Sequence, residues 1–341
     1  MPIPMIDAAI QRVEAGNDLS MEQMAEAMGQ IMEGRAEESQ IARLLIALHK
    51  KGETVAEVAG AATAMRKRMT VIHSARADLI DTCGTGGDGS RTFNISTAAA
   101  LVTAAAGVPV AKHGNRGMTS RSGSADVLTA LGVNVEADVA RVEACLDRLG
   151  ICFCFAPLLH QAMKHVAVVR KKLGTPTIFN ILGPLANPAA APFQLLGVGR
   201  AALQPLLAEA LVLLNAHRVL VVHGDDGLDE VTLDGVTHVT EAADQSLRQF
   251  DWTPADFGLN PADRTTMLVS DPTESAEIIR GILQGRRGPP RDIVVANSAA
   301  ALWTVGRSDS LIECARRAAD AIDSGAAKDL LSRLVEQTHR G

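Results

Sequence analysis

A glycine-rich loop is the first stretch of this sequence that could bind a charged ligand. The segment DTCGTGGDGSRTFNIST, residues 81–97, places four glycines within six positions and then continues into Asn94, Ser96 and Thr97. Glycines let a backbone approach an anion closely, and the free N–H groups at the start of a helix favour negative charge. An ordinary tight turn would explain one or two glycines but not four. We therefore expect a phosphate-binding loop, although it lacks the Lys-Ser/Thr ending of a P-loop and the spacing of a dinucleotide fingerprint.

A second loop supplies the positive charge that the first one lacks. The segment KHGNRGMTSRSGSADVL, residues 112–128, follows the apolar stretch VPVA and carries Lys112, Arg116 and Arg121. A lysine can meet a phosphate as a point charge, and an arginine can donate two parallel hydrogen bonds to it. Either loop alone could be an exposed connection. Two donor-rich loops after consecutive strands predict one shared anion site.

A third loop concentrates carboxylates. The segment HGDDGLDE, residues 223–230, again follows an apolar strand pattern and contains Asp225, Asp226, Asp229 and Glu230. Carboxylates beside a phosphate repel it unless a hard cation such as Mg²⁺ lies between them. For Asp225 and Asp226 an exposed acidic turn is the better interpretation. Asp229 and Glu230 are predicted to bind the metal.

The elements that must position these loops follow two patterns. Residues 1–70 have helical periodicity throughout, whereas short apolar strands alternate with helices from Ile80 onward. Such alternation, with glycines at the strand ends, predicts a mostly parallel central sheet flanked by helices. The expected fold class is therefore α/β, with a small N-terminal helical domain at residues 1–70 and a larger α/β domain at residues 71–341. The helical segment around residues 160–180 is expected to complete the small domain.

Local patterns predict several element boundaries. Ser20, with Gln23 three residues later, forms a capping box, and Ser39 and Thr54 are predicted to cap the next two helices. The segment EVTLDGVTHVTE, residues 230–241, alternates around an Asp-Gly pair and predicts a β-hairpin. These boundaries set where each loop begins and ends.

Two further segments follow the third strand. The helix HQAMKHVAVVRKKLG, residues 160–174, has a strongly basic face, for which a solvated surface is the default interpretation. The loop GTPTIFNILGPLANP, residues 174–188, is punctuated by Pro and Gly. Taken alone, it predicts no chemistry.

Composition excludes several classes of function. The chain has 341 residues, a net charge of −6, only 3% aromatic residues and no Tyr, which argues against nucleic-acid binding. No apolar run is long enough to span a bilayer, and the N-terminus lacks the layout of a secretory signal. The five cysteines are odd in number and never spaced C-x-x-C, so we expect reduced thiols in a cytoplasmic protein.

Taken together, the motifs resemble those of a known family. GTGGD, NIST, KHGNR, SRSGSADVLTALG, TIFNILGPLANP and HGDDGLDE are similar, in order and spacing, to motifs of the anthranilate phosphoribosyltransferase family. The resemblance covers nearly the whole chain. It implies transfer of phosphoribose from 5-phosphoribosyl-1-pyrophosphate (PRPP) to the amine of anthranilate, in tryptophan biosynthesis. It also implies a homodimer formed through the helical domain, and two Mg²⁺ ions that bridge pyrophosphate and carboxylates.

The resemblance also assigns site residues. It places PRPP against Gly84, Gly87, Asp88, Thr92, Asn94, Ile95, Ser96, Thr97, Lys112, His113, Gly114, Asn115, Arg116, Ser120 and Ser124. It places anthranilate against Gly84, Asn115, His160 and Arg170, and Mg²⁺ against Ser96, Asp229 and Glu230. Among these, Lys112, Asn115 and Arg170 are the expected catalytic residues. The chain departs from the family pattern at Gly117–Thr119, and at Gln161 after His160.

Two other functions remain open on the sequence alone. A pyrimidine nucleoside phosphorylase would share this architecture and also act at an anomeric carbon, but it would not need Asp229 and Glu230 as a metal pair. A non-catalytic relative could bind nucleic acid through the basic helix at 160–174. The acidic balance of the chain and the intact carboxylate pair argue against that second alternative.

Overall fold

The computed structural model describes residues 5–117 and 122–340. Seven strands occur in that part of the chain. They are β1 (Ile80–Gly84), β2 (Val110–Gly114), β3 (Ile151–Phe155), β4 (Phe193–Gly197), β5 (Arg218–Gly224), β6 (Thr237–Ala243) and β7 (Ser246–Trp252). They form one sheet in the order β3-β2-β1-β4-β5-β6-β7. Strands β1 to β5 are parallel, and β6 and β7 are antiparallel.

Helices precede, cover and follow this sheet. The N-terminal ones are α1 (Met5–Glu14), α2 (Met21–Met32), α3 (Glu38–Lys51) and α4 (Val55–Arg66). Those within the sheet region are α5 (Ile95–Ala105), α6 (Ser124–Ala130), α7 (Val139–Leu149), α8 (Ala156–Leu159), α9 (Lys164–Leu173), α10 (Phe179–Leu182) and α11 (Leu203–Leu213). The C-terminal ones are α12 (Pro272–Leu283), α13 (Pro289–Thr304), α14 (Leu311–Asp323) and α15 (Ala326–His339). The predicted α/β class, with a small helical domain before a mostly parallel sheet, is confirmed.

Capping residues explain most helix starts in the small domain. Ser20 and Gln23 form the predicted capping box before α2, and Thr54 caps α4. The prediction for Ser39 is wrong, because α3 already begins at Glu38. Glu37 precedes that helix, and its N–H donates to Gln40 Oε1 at 3.0 Å. A capping box that begins two residues earlier in the chain therefore outcompetes the serine.

Two hydrophobic cores lie on opposite faces of the sheet. One joins the buried faces of α1 to α4 to α11 and to one face of β4 and β5. Helix α9 packs against α2 and α3 and contributes Val166 and Val169 to this core. The other core lies between the opposite face of the sheet and helices α5, α7 and α12 to α15. Helix α4 packs against α11, and α11 packs against β5 and β6, so α11 joins the helical bundle to the sheet.

The predicted hairpin is displaced along the chain. Residues 231–236 form no strand, and the hairpin consists of β6 and β7 instead. Its turn is Asp244 and Gln245, which have φ values of 50° and 58°. Positive φ at both central residues suits the right-handed twist of the strands. The Asp234-Gly235 pair instead belongs to the loop before β6.

The carboxyl ends of the parallel strands bring the chemical loops together. Strands β1, β2 and β5 end at Gly84, Gly114 and Gly224, where the glycine-rich, cationic and acidic loops begin. Because these strands are parallel, all three loops leave the same edge of the sheet. Among the described residues, no helix combines the length and apolar character that crossing a membrane demands.

Candidate functional site

The glycine-rich loop and the acidic loop contact each other directly. The Gly86 N–H donates to Asp229 Oδ2 at 3.0 Å. A Cβ atom on Gly84 would clash with the same carboxylate oxygen. Gly86, Gly87 and Gly89 all have positive φ, which side chains disfavour. The glycines therefore serve both the turn of the backbone and its close approach to Asp229.

Glu230 and Lys112 meet at the start of α5. The Ser96 N–H donates to Glu230 Oε1 at 3.0 Å, and Lys112 Nζ donates to Ser96 Oγ at 3.2 Å. Lys112 Nζ also donates to the Thr82 carbonyl. One residue of the glycine-rich segment, Ser96, thus contacts both the acidic and the cationic loop, so the three predicted motifs converge.

Burial and mutual repulsion disfavour the charged forms of the carboxylates Asp229 and Glu230. Burial raises the pKa of Asp229 well above its usual range, and the charges of Asp88 and Glu230 add to the effect. Burial likewise raises the pKa of Glu230 to about 7, although Lys112 opposes the shift. Asp88 Oδ2 is buried and has no hydrogen-bond partner among the described residues. A bound cation would relieve all three carboxylates at once.

The donor set suits Mg²⁺. The cluster offers carboxylate and hydroxyl oxygens, which hard cations prefer. Within residues 5–117 and 122–340, no group of three or more His, Cys, Asp or Glu side chains is arranged to hold a metal by itself. Mg²⁺ commonly binds through one or two carboxylates and takes its other ligands from phosphate oxygens and water. The residues therefore fit a metal that arrives with a phosphate ligand.

Next to Lys112, side-chain hydrogen bonds take the place of the backbone hydrogen-bond ladder between β1 and β2. These strands share one pair of register partners, whereas β1 and β4 share five. In the gap, Asp81 Oδ1 accepts from the His113 N–H at 3.1 Å and Asp81 Oδ2 accepts from Asn187 Nδ2 at 2.8 Å. Asn187 Nδ2 also donates to the Ala111 carbonyl at 2.8 Å. Asp81 and Asn187 thus fix the strand that carries Lys112.

The sequence predictions did not include these two residues. Asp81 could have been identified as a structural residue, because a carboxylate within the apolar pattern of a buried strand is unusual and is normally paired or hydrogen-bonded. Asn187 lies in a Pro-rich loop and its partner is 106 positions away in the chain. No local pattern marks it.

Burial and the neighbouring carboxylates act in opposite directions on the charge of Lys112. Its side chain is almost fully buried, which lowers the pKa of its ammonium group. The charges of Asp81, Glu230 and Asp229 act in the opposite direction and favour the charged form. A lysine in such a site carries little hydration that must be lost before it meets a phosphate.

A pair of buried histidines connects β2 to the turn before α9. His113 Nε2 and His160 Nε2 lie 3.1 Å apart, and His113 Nδ1 lies 3.0 Å from the Gly183 carbonyl. Burial lowers the pKa of His113 to about 3 and that of His160 to about 4. Both rings are therefore neutral at pH 7, and the pair fixes the loop around Gly183.

The first three carbonyls of the loop at 183–187 are each held by a different part of the fold. Besides His113 at Gly183, Gln194 Nε2 donates to the Pro184 carbonyl at 2.7 Å and Arg66 Nε donates to the Leu185 carbonyl at 2.7 Å. Arg66 belongs to α4 of the helical domain. A loop to which the sequence assigned no chemistry is thus rigidly placed beside the cluster.

Arg170 lies beside Phe179, in the segment that leads into this loop, and has no carboxylate partner among the described residues. Its Cζ lies 5.6 Å from the centroid of the Phe179 ring, and partial burial lowers the pKa of its guanidinium group. No ion pair joins Arg170 to a described residue, whereas the neighbouring Lys172 pairs with Glu38 at 2.5 Å. The basic face of α9 thus divides into a solvated part and one partly buried guanidinium that can receive an anion.

Serines and Asn94 organise the start of α5. Asn94 Oδ1 accepts from Ser122 Oγ at 2.6 Å and from Ser275 Oγ at 2.8 Å. Thr97 Oγ1 is buried without a hydrogen-bond partner among the described residues. Ser275 was not predicted, because it lies 181 positions from its partner.

The loop after β2 is tightly packed. The Asn115 carbonyl accepts from the Ala125 N–H at 3.1 Å and from Ser124 Oγ at 3.3 Å. A Cβ atom on Gly114 would clash with Ser124 Oγ and with the Phe153 ring. Gly114, Asn115 and Ser124 therefore lie together at the end of β2.

Several predicted residues lie apart from the cluster around Lys112. The Arg116 guanidinium pairs with Glu136 at 2.9 Å and with Asp126 at 3.4 Å. Ile95 is buried in the core, and Thr92 Oγ1 lies 3.1 Å from Ser90 Oγ. The prediction for Ser120 falls outside the described residues, as do those for Arg121 and for the departures at Met118 and Thr119.

The first carboxylates of the acidic loop form a turn. Asp225 Oδ1 lies 2.8 Å from His238 Nε2, and Asp226 Oδ1 accepts from the Leu228 N–H at 3.2 Å. Asp225 is exposed, as expected of an acidic turn, whereas Asp226 is half-buried and its Oδ2 is buried without a hydrogen-bond partner among the described residues.

Family models match both parts of the chain. Residues 7–69 match a glycosyl transferase family, helical bundle domain, and residues 76–328 match a glycosyl transferase family, a/b domain. The chain is 52% identical over 96% of its length, and 96% of the relative's, to an anthranilate phosphoribosyltransferase of Rhodopirellula baltica.

Solved structures are similar over the same extent. The anthranilate phosphoribosyltransferase of Thermus thermophilus superposes with a TM-score of 0.92 at 41% identity, covering 97% of this chain and 99% of that one. The enzyme of Saccharomyces cerevisiae in complex with PRPP and Mg superposes with a TM-score of 0.89 at 27% identity, covering 98% and 97%. By its sequence and its fold, this chain belongs to the anthranilate phosphoribosyltransferase family.

Proposed function

We propose that the protein transfers the phosphoribosyl group of PRPP to the amine of anthranilate. The products are N-(5-phosphoribosyl)anthranilate and pyrophosphate, and the reaction is a step in tryptophan biosynthesis. The observation that carries this proposal is the convergence at Ser96, where Lys112 and Glu230 both contact the start of α5. A helix N-terminus, a buried ammonium group and metal-binding carboxylates together suit a pyrophosphate.

PRPP would lie across the loops at the carboxyl ends of β1 and β2. Lys112 and the Thr97 N–H at the start of α5 would contact its phosphate oxygens, and Gly84 and Gly87 would let the backbone approach. The remaining proposed contacts are those assigned by resemblance. They are Asp88, Thr92, Asn94, Ile95, Ser96, Thr97, His113, Gly114, Asn115, Arg116, Ser120 and Ser124.

Ser96, Asp229 and Glu230 would hold Mg²⁺, with two ions at the site in the complete complex. The orphaned oxygen of Asp88 lies in the same cluster and supports a cation there. When bound, the metal would neutralise charge on the pyrophosphate oxygens.

The chain's own task is to stabilise the departing pyrophosphate. The bond that breaks joins the anomeric carbon of ribose to pyrophosphate, and the ring oxygen shares the positive charge that develops. Lys112 and the Thr97 N–H of α5 are fixed before the reaction starts, so little reorganisation is needed as negative charge grows on the leaving group. Lys112 is therefore the central catalytic residue of the proposal.

Anthranilate needs positioning more than activation, because an aryl amine is already neutral at pH 7 and has a free lone pair. Arg170 would bind its carboxylate, while Asn115, Gly84 and His160 would shape the pocket. His113 is an unsuitable general base, because burial lowers its pKa to about 3 and its ring contacts Gly183 and His160. We assign it to fixing the loop.

We also propose that the protein acts as a cytoplasmic homodimer that does not bind nucleic acid. The five cysteines are buried and unpaired, which suits a reducing compartment. The helical domain exposes apolar side chains at Met5 and Ile46, which supports an interface on α1 and α3. Lys172 on the basic helix is already paired with Glu38, which weakens a role for that face in binding nucleic acid.

The test is to identify the products. Purified protein is incubated with PRPP, anthranilate and Mg²⁺, and the mixture is analysed by mass spectrometry and by phosphorus NMR. We expect equal amounts of N-(5-phosphoribosyl)anthranilate and pyrophosphate, formed only when all three components are present. Phosphorolysis of thymidine in the absence of Mg²⁺ would instead support the nucleoside phosphorylase alternative.

A further inference from the structure

Asn94 occupies the cap position of α5 but does not cap that helix. An asparagine at this position ordinarily accepts a hydrogen bond from the N–H of the second or third helical residue, here Ser96 or Thr97. The Asn94 side chain makes no such bond. Its oxygen accepts from two hydroxyl groups instead, those of Ser122 and Ser275.

Ser275 holds both the backbone and the side chain of Asn94. It lies in the first turn of α12 and is fully buried. Its hydroxyl accepts from the Asn94 N–H at 3.0 Å and donates to Asn94 Oδ1 at 2.8 Å. Asn94 Nδ2 also donates to the Ser122 carbonyl at 3.1 Å. Two hydroxyl donors on Oδ1 fix which way the amide faces, and one of them comes from a distant helix.

Because the Asn94 side chain is diverted, the N–H groups in the first turn of α5 receive no cap from it. Of the first N–H groups of the helix, that of Ile95 donates to Phe93 and that of Ser96 donates to Glu230. A conventional Asn94 cap would occupy the N–H of Thr97. The hydroxyl of Thr97 is also buried and unpaired among the described residues. These two donors lie where the proposed function puts phosphate oxygens.

We propose that Ser275 is a positioning residue for PRPP binding. It keeps Asn94 from capping α5 and so reserves the helix N-terminus for the phosphate oxygens of the substrate. It acts through Asn94 and does not itself touch PRPP. The inference rests on the proposed function, because it takes PRPP to be the anion at α5.

The direct test is Ser275→Ala, with PRPP affinity as the readout. Without the serine hydroxyl, Asn94 Oδ1 loses one of its two donors and can turn to cap Thr97, where it competes with the substrate. We expect the Kd for PRPP with Mg²⁺, measured by calorimetry, and the KM for PRPP to rise about fivefold, the cost of displacing a helix cap. The KM for anthranilate should stay unchanged.

Ser298→Ala is the matched control. Ser298 is also fully buried, and its hydroxyl donates to the Ala99 carbonyl of the same helix at 3.3 Å. The control removes an equivalent buried hydroxyl next to α5 without touching Asn94. An equal loss of PRPP affinity in both variants would show a general loosening of α5 and would overturn the inference.

A double-mutant cycle tests whether Ser275 affects PRPP binding through Asn94. In an Asn94→Ala background, Ser275→Ala should cause no further loss of PRPP affinity; a second loss of about fivefold would refute the assignment. If Ser275→Ala does not fold, Ser275→Cys keeps the side-chain volume with a weaker donor and should still weaken PRPP binding, and unchanged binding would overturn the inference. A wild-type protein that binds no PRPP would instead refute the proposed function.

Discussion

At the scale of single residues, the site depends on buried charges that need partners. Lys112 is almost fully buried, and burying a lone ammonium group would cost several kcal/mol. Asp81, Asp229 and Glu230 offset part of that cost by favouring the charged form. Asp229 and Glu230 also repel each other and Asp88, and a bound cation would relieve that repulsion. The residues of the site are therefore arranged for the complex rather than for the free protein.

Arg170→Ala should weaken anthranilate binding selectively. A guanidinium group without a protein carboxylate can donate two charge-assisted hydrogen bonds to a substrate carboxylate. We expect the KM for anthranilate to rise about tenfold or more and the KM for PRPP to stay near its original value. Steady-state kinetics with each substrate varied in turn measures both.

The control for this substitution is Lys172→Ala, two positions further along α9. Lys172 is exposed and paired with Glu38, so its loss should leave both Michaelis constants unchanged. If Arg170→Ala also left the KM for anthranilate unchanged, the carboxylate-binding role of Arg170 would be wrong.

The His113–His160 pair should make the protein sensitive to mild acid. Burial lowers the folded-state pKa of His160 to about 4 and that of His113 to about 3, below the ordinary value of 6.5. The stability gained from the neutral rings is thus complete above pH 6.5 and is lost as the pH falls toward 4. Each histidine should contribute a slope of about 1.4 kcal/mol per pH unit in that window.

Urea unfolding at several pH values between 7.5 and 5 measures this slope. In His160→Gln the slope should be smaller by the contribution of one histidine, about 1.4 kcal/mol per pH unit, because a glutamine does not titrate. His49→Gln, at an exposed position on α3, controls for the loss of any histidine. Equal slopes in wild type and His160→Gln would contradict the assignment of a buried neutral pair.

At the scale of elements, the site is a meeting of three loops at one edge of the sheet. Strands β1, β2 and β5 place these loops, and a Cβ atom at position 84 would have to displace the Asp229 carboxylate. The gap between β1 and β2 then lets Lys112 reach Ser96. The proposed metal site therefore forms only where the glycine-rich and acidic loops contact each other; neither loop forms it alone.

Gly84→Ala should disrupt this contact. The added Cβ would clash with Asp229 Oδ2 and displace a proposed metal ligand. Because misplacing a catalytic group by about 1 Å can cost 10²-fold in rate, we expect kcat/KM to fall about a hundredfold, with partial recovery at high Mg²⁺ concentration. Initial rates over a range of Mg²⁺ concentrations measure this.

Gly29→Ala provides the comparison. Gly29 lies on α2, where an added Cβ would meet only the flexible end of Arg68. Activity should be retained in that variant. Full activity of Gly84→Ala at low Mg²⁺ would show that the contact between the first and third loops is dispensable.

At the scale of the whole molecule, the helical domain both supports the site and offers a surface for association. Arg66 of α4 holds the Leu185 carbonyl, so the bundle helps to fix the loop at 183–187. On α3, Ile46 is 38% exposed. A dimer formed there would keep the helical domain, and through it the loop, in place.

Ile46→Glu should therefore weaken the proposed dimer. A carboxylate in an apolar interface either loses its hydration on burial or keeps water between the two subunits, and both weaken association. Sedimentation velocity should show a rise of about tenfold or more in the dimer dissociation constant. Ile312→Glu, at a position 58% exposed on α14, is the control and should sediment like wild type. A wild-type protein that is monomeric at micromolar concentration would refute the dimer.

Sequence patterns predicted the parts of the structure that depend on neighbours in the chain. The fold class, the capping box at Ser20 and the convergence of the three loops follow from local periodicity and from the geometry of parallel strands. The hairpin was misplaced because its turn, Asp244–Gln245, lacks the glycine that usually marks positive φ. Asp81, Asn187 and Ser275 act through partners that only tertiary packing brings near.

The most direct test of the proposed reaction follows the fluorescence of anthranilate after PRPP and Mg²⁺ are added to the purified protein. We predict a fall in fluorescence that requires both substrates and the metal. Lys112→Met should slow this fall by about a hundredfold or more, because the leaving group loses its fixed ammonium partner. A flat trace from folded wild-type protein would contradict the proposed reaction. An undiminished rate in Lys112→Met would contradict the role given to the buried lysine.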